Sequence, residues 1–191
     1  MVFLGGSEQA NSHIIQKAFK PVRYNFIKEF DKYGPDFEIV LEFTLEATPG
    51  AWKEIFVLST GKDTGELGVR YPQLAVVDHG EPVTKREFGL QFYYDPDEHY
   101  ESGESLRYEG VELNKRYQMT ITHKNKILTW TINGEEVATL VNTNPMVHSK
   151  MKLFMSNTNH PLPGTISYFS LSAESKSFFS YFLNKMKLNS F

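Results

Sequence analysis

Leu128-Thr129-Trp130-Thr131-Ile132-Asn133-Gly134-Glu135-Glu136-Val137-Ala138-Thr139-Leu140-Val141 places two extended, alternating runs on either side of Asn-Gly. Both loop residues tolerate positive φ, which a tight type I′ turn requires, so the flanking strands must pair antiparallel. A two-residue loop then sets a register in which Ile132 faces Glu135, Trp130 faces Val137 and Leu128 faces Thr139. Leu128, Trp130, Ile132 and Val137 would share one side of the ribbon, and Thr129, Thr131 and Glu136 the other.

Working outward, Phe37, Ile39, Leu41, Phe43 and Leu45 alternate with Glu38, Val40, Glu42, Thr44 and Glu46. That is a long strand with one apolar and one solvated face. Further strands are expected around Ala18–Phe26, Trp52–Leu58, Leu67–Val77, Phe88–Tyr94, Tyr117–Ile121, Met151–Met155 and Ile166–Leu171. Pro72 interrupts Leu67–Val77 and should mark an edge or a bulge. About ten short strands with no long helical pattern between them predict an all-β, antiparallel two-sheet sandwich or barrel. After Glu174 the period changes. Phe178, Phe179, Phe182, Leu183 and Met186 recur every three or four residues, so Ser175–Leu188 reads as an amphipathic helix. The expected organisation is a flexible tail over 1–12, a sandwich domain over 13–174 and a C-terminal helical appendage over 175–191.

Composition narrows the function classes. The 191 residues carry a formal charge of -3, which gives no broad basic field for nucleic acid. The chain has no cysteine, so disulfides, thiolate metal sites and a Cys nucleophile are excluded. No apolar run is long enough for a transmembrane helix, and Met1–Ser12 lacks the apolar core of a secretory leader. No Gly-x-Ser-x-Gly elbow is present. Glu38, Glu42 and Glu46 share a strand face, but at four-residue spacing they read as a solvated surface rather than a hydrolytic acid pair.

The order and spacing of several short motifs carry a likeness. They are Tyr33-Gly34-Pro35-Asp36-Phe37-Glu38-Ile39, Gly68-x-Arg70-x-Pro72, Leu113-Asn114-Lys115, Ile132-Asn133-Gly134, Asn142-Thr143-Asn144-Pro145, Met151–Asn157 and Gly164-Thr165-Ile166. Over about Tyr33 to Ser172 the chain resembles the concanavalin A-like lectin/glucanase superfamily, with laminin-G and pentraxin-like modules nearest. The resemblance implies a jelly-roll sandwich and extracellular recognition of a glycan or glycoprotein; with the acid pair of a glucanase missing, a non-catalytic module is expected.

A sugar site needs an aromatic face beneath the pyranose ring and a few fixed polar groups. Arg70, Tyr71, Tyr93, Tyr94 and Asp95 supply those types, and strand alternation predicts that Tyr71 and Tyr93 point away from their apolar neighbours. Trp52 offers the same ring, with a place in the core or at the rim as the alternative. Arg70 could instead close an ion pair with a strand glutamate. Asp95, Asp97 and Glu101, with Glu98 and Glu104 nearby, offer the oxygen ligands that Ca²⁺ takes. The other partner class is a protein, or a second copy of the chain, met through the C-terminal helix.

Overall fold

A computed structural model describes residues 11–22, 25–50, 52–61, 69–79, 86–93, 104–142, 147–156 and 162–174. Among these, twelve strands and no helix are found. They are β1 (Asn11–Ile15), β2 (Asn25–Tyr33), β3 (Asp36–Leu45), β4 (Lys53–Ser59), β5 (Arg70–Asp78) and β6 (Arg86–Tyr93). The second half contributes β7 (Glu104–Glu109), β8 (Arg116–Lys124), β9 (Ile127–Ile132), β10 (Glu135–Val141), β11 (His148–Met155) and β12 (Gly164–Glu174). One sheet runs β1-β12-β3-β8-β9-β10 and the other β2-β11-β4-β5-β6-β7. Neighbouring strands are antiparallel, giving the two-sheet sandwich that the alternation predicts and the jelly-roll architecture that the resemblance implies. The helix expected over Ser175–Leu188 lies outside the described residues.

The strand β3 shows why the sequence folds this way. Phe37, Ile39, Leu41, Phe43 and Leu45 are buried between the sheets, whereas Glu38, Glu42 and Glu46 face water. Those glutamates behave as a solvated face should: Glu42 meets Arg116, and Glu46 accepts from Lys20 Nζ at 2.7 Å. Burying an apolar side chain contributes about 1.5–3 kcal/mol, and Leu41, Phe92, Trp130 and Leu153 are all essentially inaccessible. Edge-on ring contacts such as Phe56–Phe169 and Phe43–Phe88 tie the sheets together.

The Asn-Gly hairpin forms as its chemistry demands, with φ of 53° at Asn133 and 84° at Gly134. Asn133 does more than turn the chain, because its Oδ1 accepts from the Gln118 amide at 2.9 Å and anchors the loop to β8. The expected register holds for Ile132 and Glu135 but not beyond. A bulge between Glu136 and Ala138 slips the ladder, so Trp130 faces Ala138 and Leu128 faces Leu140.

Other boundaries shift as well. The strand expected near Ala18–Phe26 is displaced: β2 runs 9 residues from Asn25 to Tyr33, and Phe19 makes only an isolated bridge to Ile166. Asn11 and Ser12, which composition assigns to a polar tail, pair with β12 as part of β1. Glu104–Glu109, read with the acidic loop, forms β7 and buries Leu106 and Tyr108 in part.

Candidate functional site

The second sheet turns one face to the core and the other outward, and the outward face is unusual. Val57, Ala75, Val77 and Phe154 are buried yet stand apart from the core cluster between the sheets. Register explains the division. Phe154 pairs with Val57, Val57 with Gln73, and Gln73 with Gln91, one row across β11, β4, β5 and β6. A second row joins Glu54, Ala75, Gly89 and Arg107, and a third brings Ser59, Arg70 and Tyr93 together.

Pro72 decides what occupies this face. Against β6, the step from Arg70 to Gln73 spans only Tyr93 to Gln91, so β5 carries one extra residue there. The bulge expected at Pro72 is therefore present, in a central strand. It resets the alternation, leaving Arg70 and Gln73 both outward although they are three residues apart. Tyr71, which strict alternation would also turn outward, points into the sandwich instead and has no exposure. Its hydroxyl accepts from Asn142 Nδ2 at 2.7 Å, and its ring packs on Phe37, Phe92 and His148. The expectation of an exposed Tyr71 is thus corrected.

On the outer face a polar chain runs across β4 and β5. Arg70 Nη1 donates to Gln73 Oε1 at 2.9 Å, and Gln73 Nε2 donates to Glu54 Oε1 at 3.1 Å. Arg70 thus reaches the strand glutamate Glu54 through an amide relay. Burial raises the Glu54 carboxyl above its usual range, against the opposing pull of its backbone amide, Arg70 and the Trp52 indole. Glu54 Oε2 is buried without a hydrogen-bond partner. Along the same face Glu87, itself buried, accepts from His79 Nε2 at 3.0 Å and Arg107 Nη1 at 3.1 Å.

Trp52 completes the arrangement. Its ring lies 3.5 Å from where a Cβ on Gly89 would stand, and 3.9 Å separates that point from Val77. Because Phe88 and Leu90 face the core, Gly89 faces outward, and the half-buried indole covers it. Trp52 is therefore an outer-face residue, not a core one, beside the Glu54–Gln73–Arg70 chain. Tyr93 pairs with Arg70 across β5 and β6. Tyr94, Asp95, Asp97 and Glu101 lie outside the described residues, and with them the expected Ca²⁺ ligands.

No protein-family model matches the chain, and no curated protein does. Solved structures do share the fold. The Ruminococcus gnavus IT-sialidase CBM40 matches at a TM-score of 0.56 and 14% identity, covering 89% of this chain and 95% of that one. The same module bound to alpha2,3 sialyllactose matches at 0.55 and 14% identity, over 84% and 93%. Trypanosoma rangeli sialidase in complex with sialic acid matches at 0.51 and 11% identity, over 74% of this chain. The chain spans only about a fifth, 21%, of that sialidase. At these identities the likeness is one of fold: an antiparallel two-sheet β-sandwich.

Proposed function

We propose that this chain is a non-catalytic carbohydrate-binding module that lays a glycan on the outer face of the second sheet, against Trp52. The observation that carries the reading is the indole over Gly89, an aromatic surface outside the core beside fixed hydrogen-bonding groups. An indole face suits the C–H side of a sugar ring, and the neighbouring polar groups can orient its hydroxyls. Arg107 and Gln91 are the accessible members, while Arg70 and Gln73 hold Glu54 in place. One module of the same fold, solved with alpha2,3 and with alpha2,6 sialyllactose, supports the class of ligand. An extracellular setting follows from the sequence resemblance and belongs to the same proposal.

Glycan-array binding of the full chain, with and without EDTA, tests it. Binding weakened about tenfold or more by Trp52→Ala, with Tyr71→Phe unchanged, supports the site. Loss on chelation adds the calcium ligands Asp95, Asp97 and Glu101. Silence on the array, or full binding by a folded Trp52→Ala protein, overturns it.

A further inference from the structure

We propose that the first sheet carries a separate site, a polar pocket that takes a small zwitterion of the α-amino acid class. The pocket has a volume of about 220 Å³, and its described lining includes Asp36, Glu38, Thr122, His123, Lys124 and Ser172. That is room for roughly seven waters and less than a drug-sized ligand needs, so the occupant is small. The walls are fixed. Asp36 Oδ1 accepts from the Asn125 amide at 3.1 Å, and His123 Nδ1 lies 2.6 Å from the Pro35 carbonyl oxygen. The β8–β9 turn is thereby tied to the turn that precedes β3, and a site built on strand ends held this way costs little ordering when it is filled.

Register sets out the chemistry. Ser172 pairs with Glu38 and Glu38 with Thr122, one row across β12, β3 and β8. Their neighbours Leu171, Ile39 and Ile121 are buried between the sheets, so the row faces outward. Lys124 follows two residues along β8 on the same face. It is the diagonal neighbour of Glu38, about 7–8 Å away and within reach of two long side chains. Yet Glu38 and Lys124 form no ion pair, with each other or with any described residue, whereas Glu42 and Glu46 further along the same face meet Arg116 and Lys20. A carboxylate and an ammonium held apart across a pocket match a ligand that carries both opposite charges. The ligand's ammonium has three N–H donors, and Glu38, Ser172 and Thr122 offer acceptors in one row. Its carboxylate takes Lys124. A neutral sugar would leave Lys124 without a counter-charge, and the rings beside the pocket, Phe37 and His123, are buried and offer it no face.

Backbone amide shifts of the full chain, titrated with L-serine and with no glycan present, test this, so the result stands apart from the sugar reading. Serine should move the signals of Glu38, Thr122, Lys124 and Ser172 and saturate them with a Kd of about 1 mM or below. Ethanolamine lacks the carboxylate of serine and 3-hydroxypropionate lacks its ammonium, and each should bind at least about tenfold more weakly. Glu38→Gln and Lys124→Met should each weaken serine by a similar factor. Both side chains are exposed, so the signals of the rest of the chain should stay in place. No localised shift, half-ligands that bind as well as serine, or binding that survives both substitutions overturns the site. So does lactose moving the same four signals where serine does not, which would make the pocket a glycan subsite.

Discussion

Trp52 rests over Gly89 because β6 offers it a position without a side chain, and a Cβ there would meet Trp52 Cη2 at 3.5 Å. This is ordinary contact, so Gly89→Ala should leave both fold and indole in place. Gly89→Val adds two methyls into the space the ring occupies and should lift the indole off the sheet. Trp130, the only other tryptophan, is fully buried and serves as an internal reference. The expected outcome is a red shift of Trp52 emission in Gly89→Val alone, with stability changed by no more than about 1 kcal/mol. An unshifted spectrum would mean that the indole does not depend on the glycine.

Tyr71 and Asn142 form a buried polar pair, so Tyr71→Phe removes the hydroxyl that accepts from Asn142 Nδ2. Losing that hydrogen bond costs about 0.5–1.5 kcal/mol. Urea denaturation should show that loss, with the slope of the transition unchanged. A double substitution that also replaces Asn142 by Leu should cost less than the sum of the two single changes.

How far the fold was legible follows from which signals are local. Alternation in β3 and the Asn-Gly turn are set within a few residues, and the structure reproduces both. Bulges are not written in that way. One at Val137 shifts the Trp130 partner, and one at Pro72 turns Tyr71 inward while keeping Arg70 and Gln73 together. Pro72 did signal an irregularity, but not which side chains it would redirect. Strand β7 hid among acidic residues because only Leu106 and Tyr108 mark its inner side. Trp52 was a candidate ring in the sequence, but its place on the outer face is decided by Gly89, a residue distant in sequence whose position depends on the pairing of β5 with β6.

Gly164 leaves no room for a side chain. A Cβ there would stand 2.5 Å from the Thr44 carbonyl oxygen and 2.6 Å from Phe43 Cε2. The backbone oxygen belongs to the β3–β12 ladder and cannot retreat without breaking it. Gly164→Ala should therefore destabilise by about 1–3 kcal/mol, the range of an overpacked core. A drop in the denaturation midpoint checks it, and a neutral result would show that β12 is free to shift.

Acid should loosen the end of the sandwich where His123 and His148 are buried. His123 Nδ1 lies 2.6 Å from the Pro35 carbonyl oxygen and must donate to it, leaving a buried, unpartnered Nε2 acceptor. His148 Nε2 is likewise buried without a partner. Burial lowers both from the usual 6.5, although the Pro35 carbonyl and Asp36 partly oppose this at His123. His13 is lowered too, by burial and then by Lys28. A native value below the unfolded one means that the unfolded chain takes up the proton first. The stability these histidines contribute is thus complete above about pH 6.5 and is lost as pH falls through their depressed native values. Each can approach about 1.4 kcal/mol per pH unit over that window. Glu54 acts in the opposite sense: its raised carboxyl contributes stability that is present below about 4.5 and lost as pH rises through its native value. Stability should therefore fall from pH 7.5 to 5.5 and flatten further down. His148→Phe, which keeps a ring against Tyr71 but cannot titrate, should reduce the slope between those pH values. Equal slopes in the two proteins would remove His148 from the account.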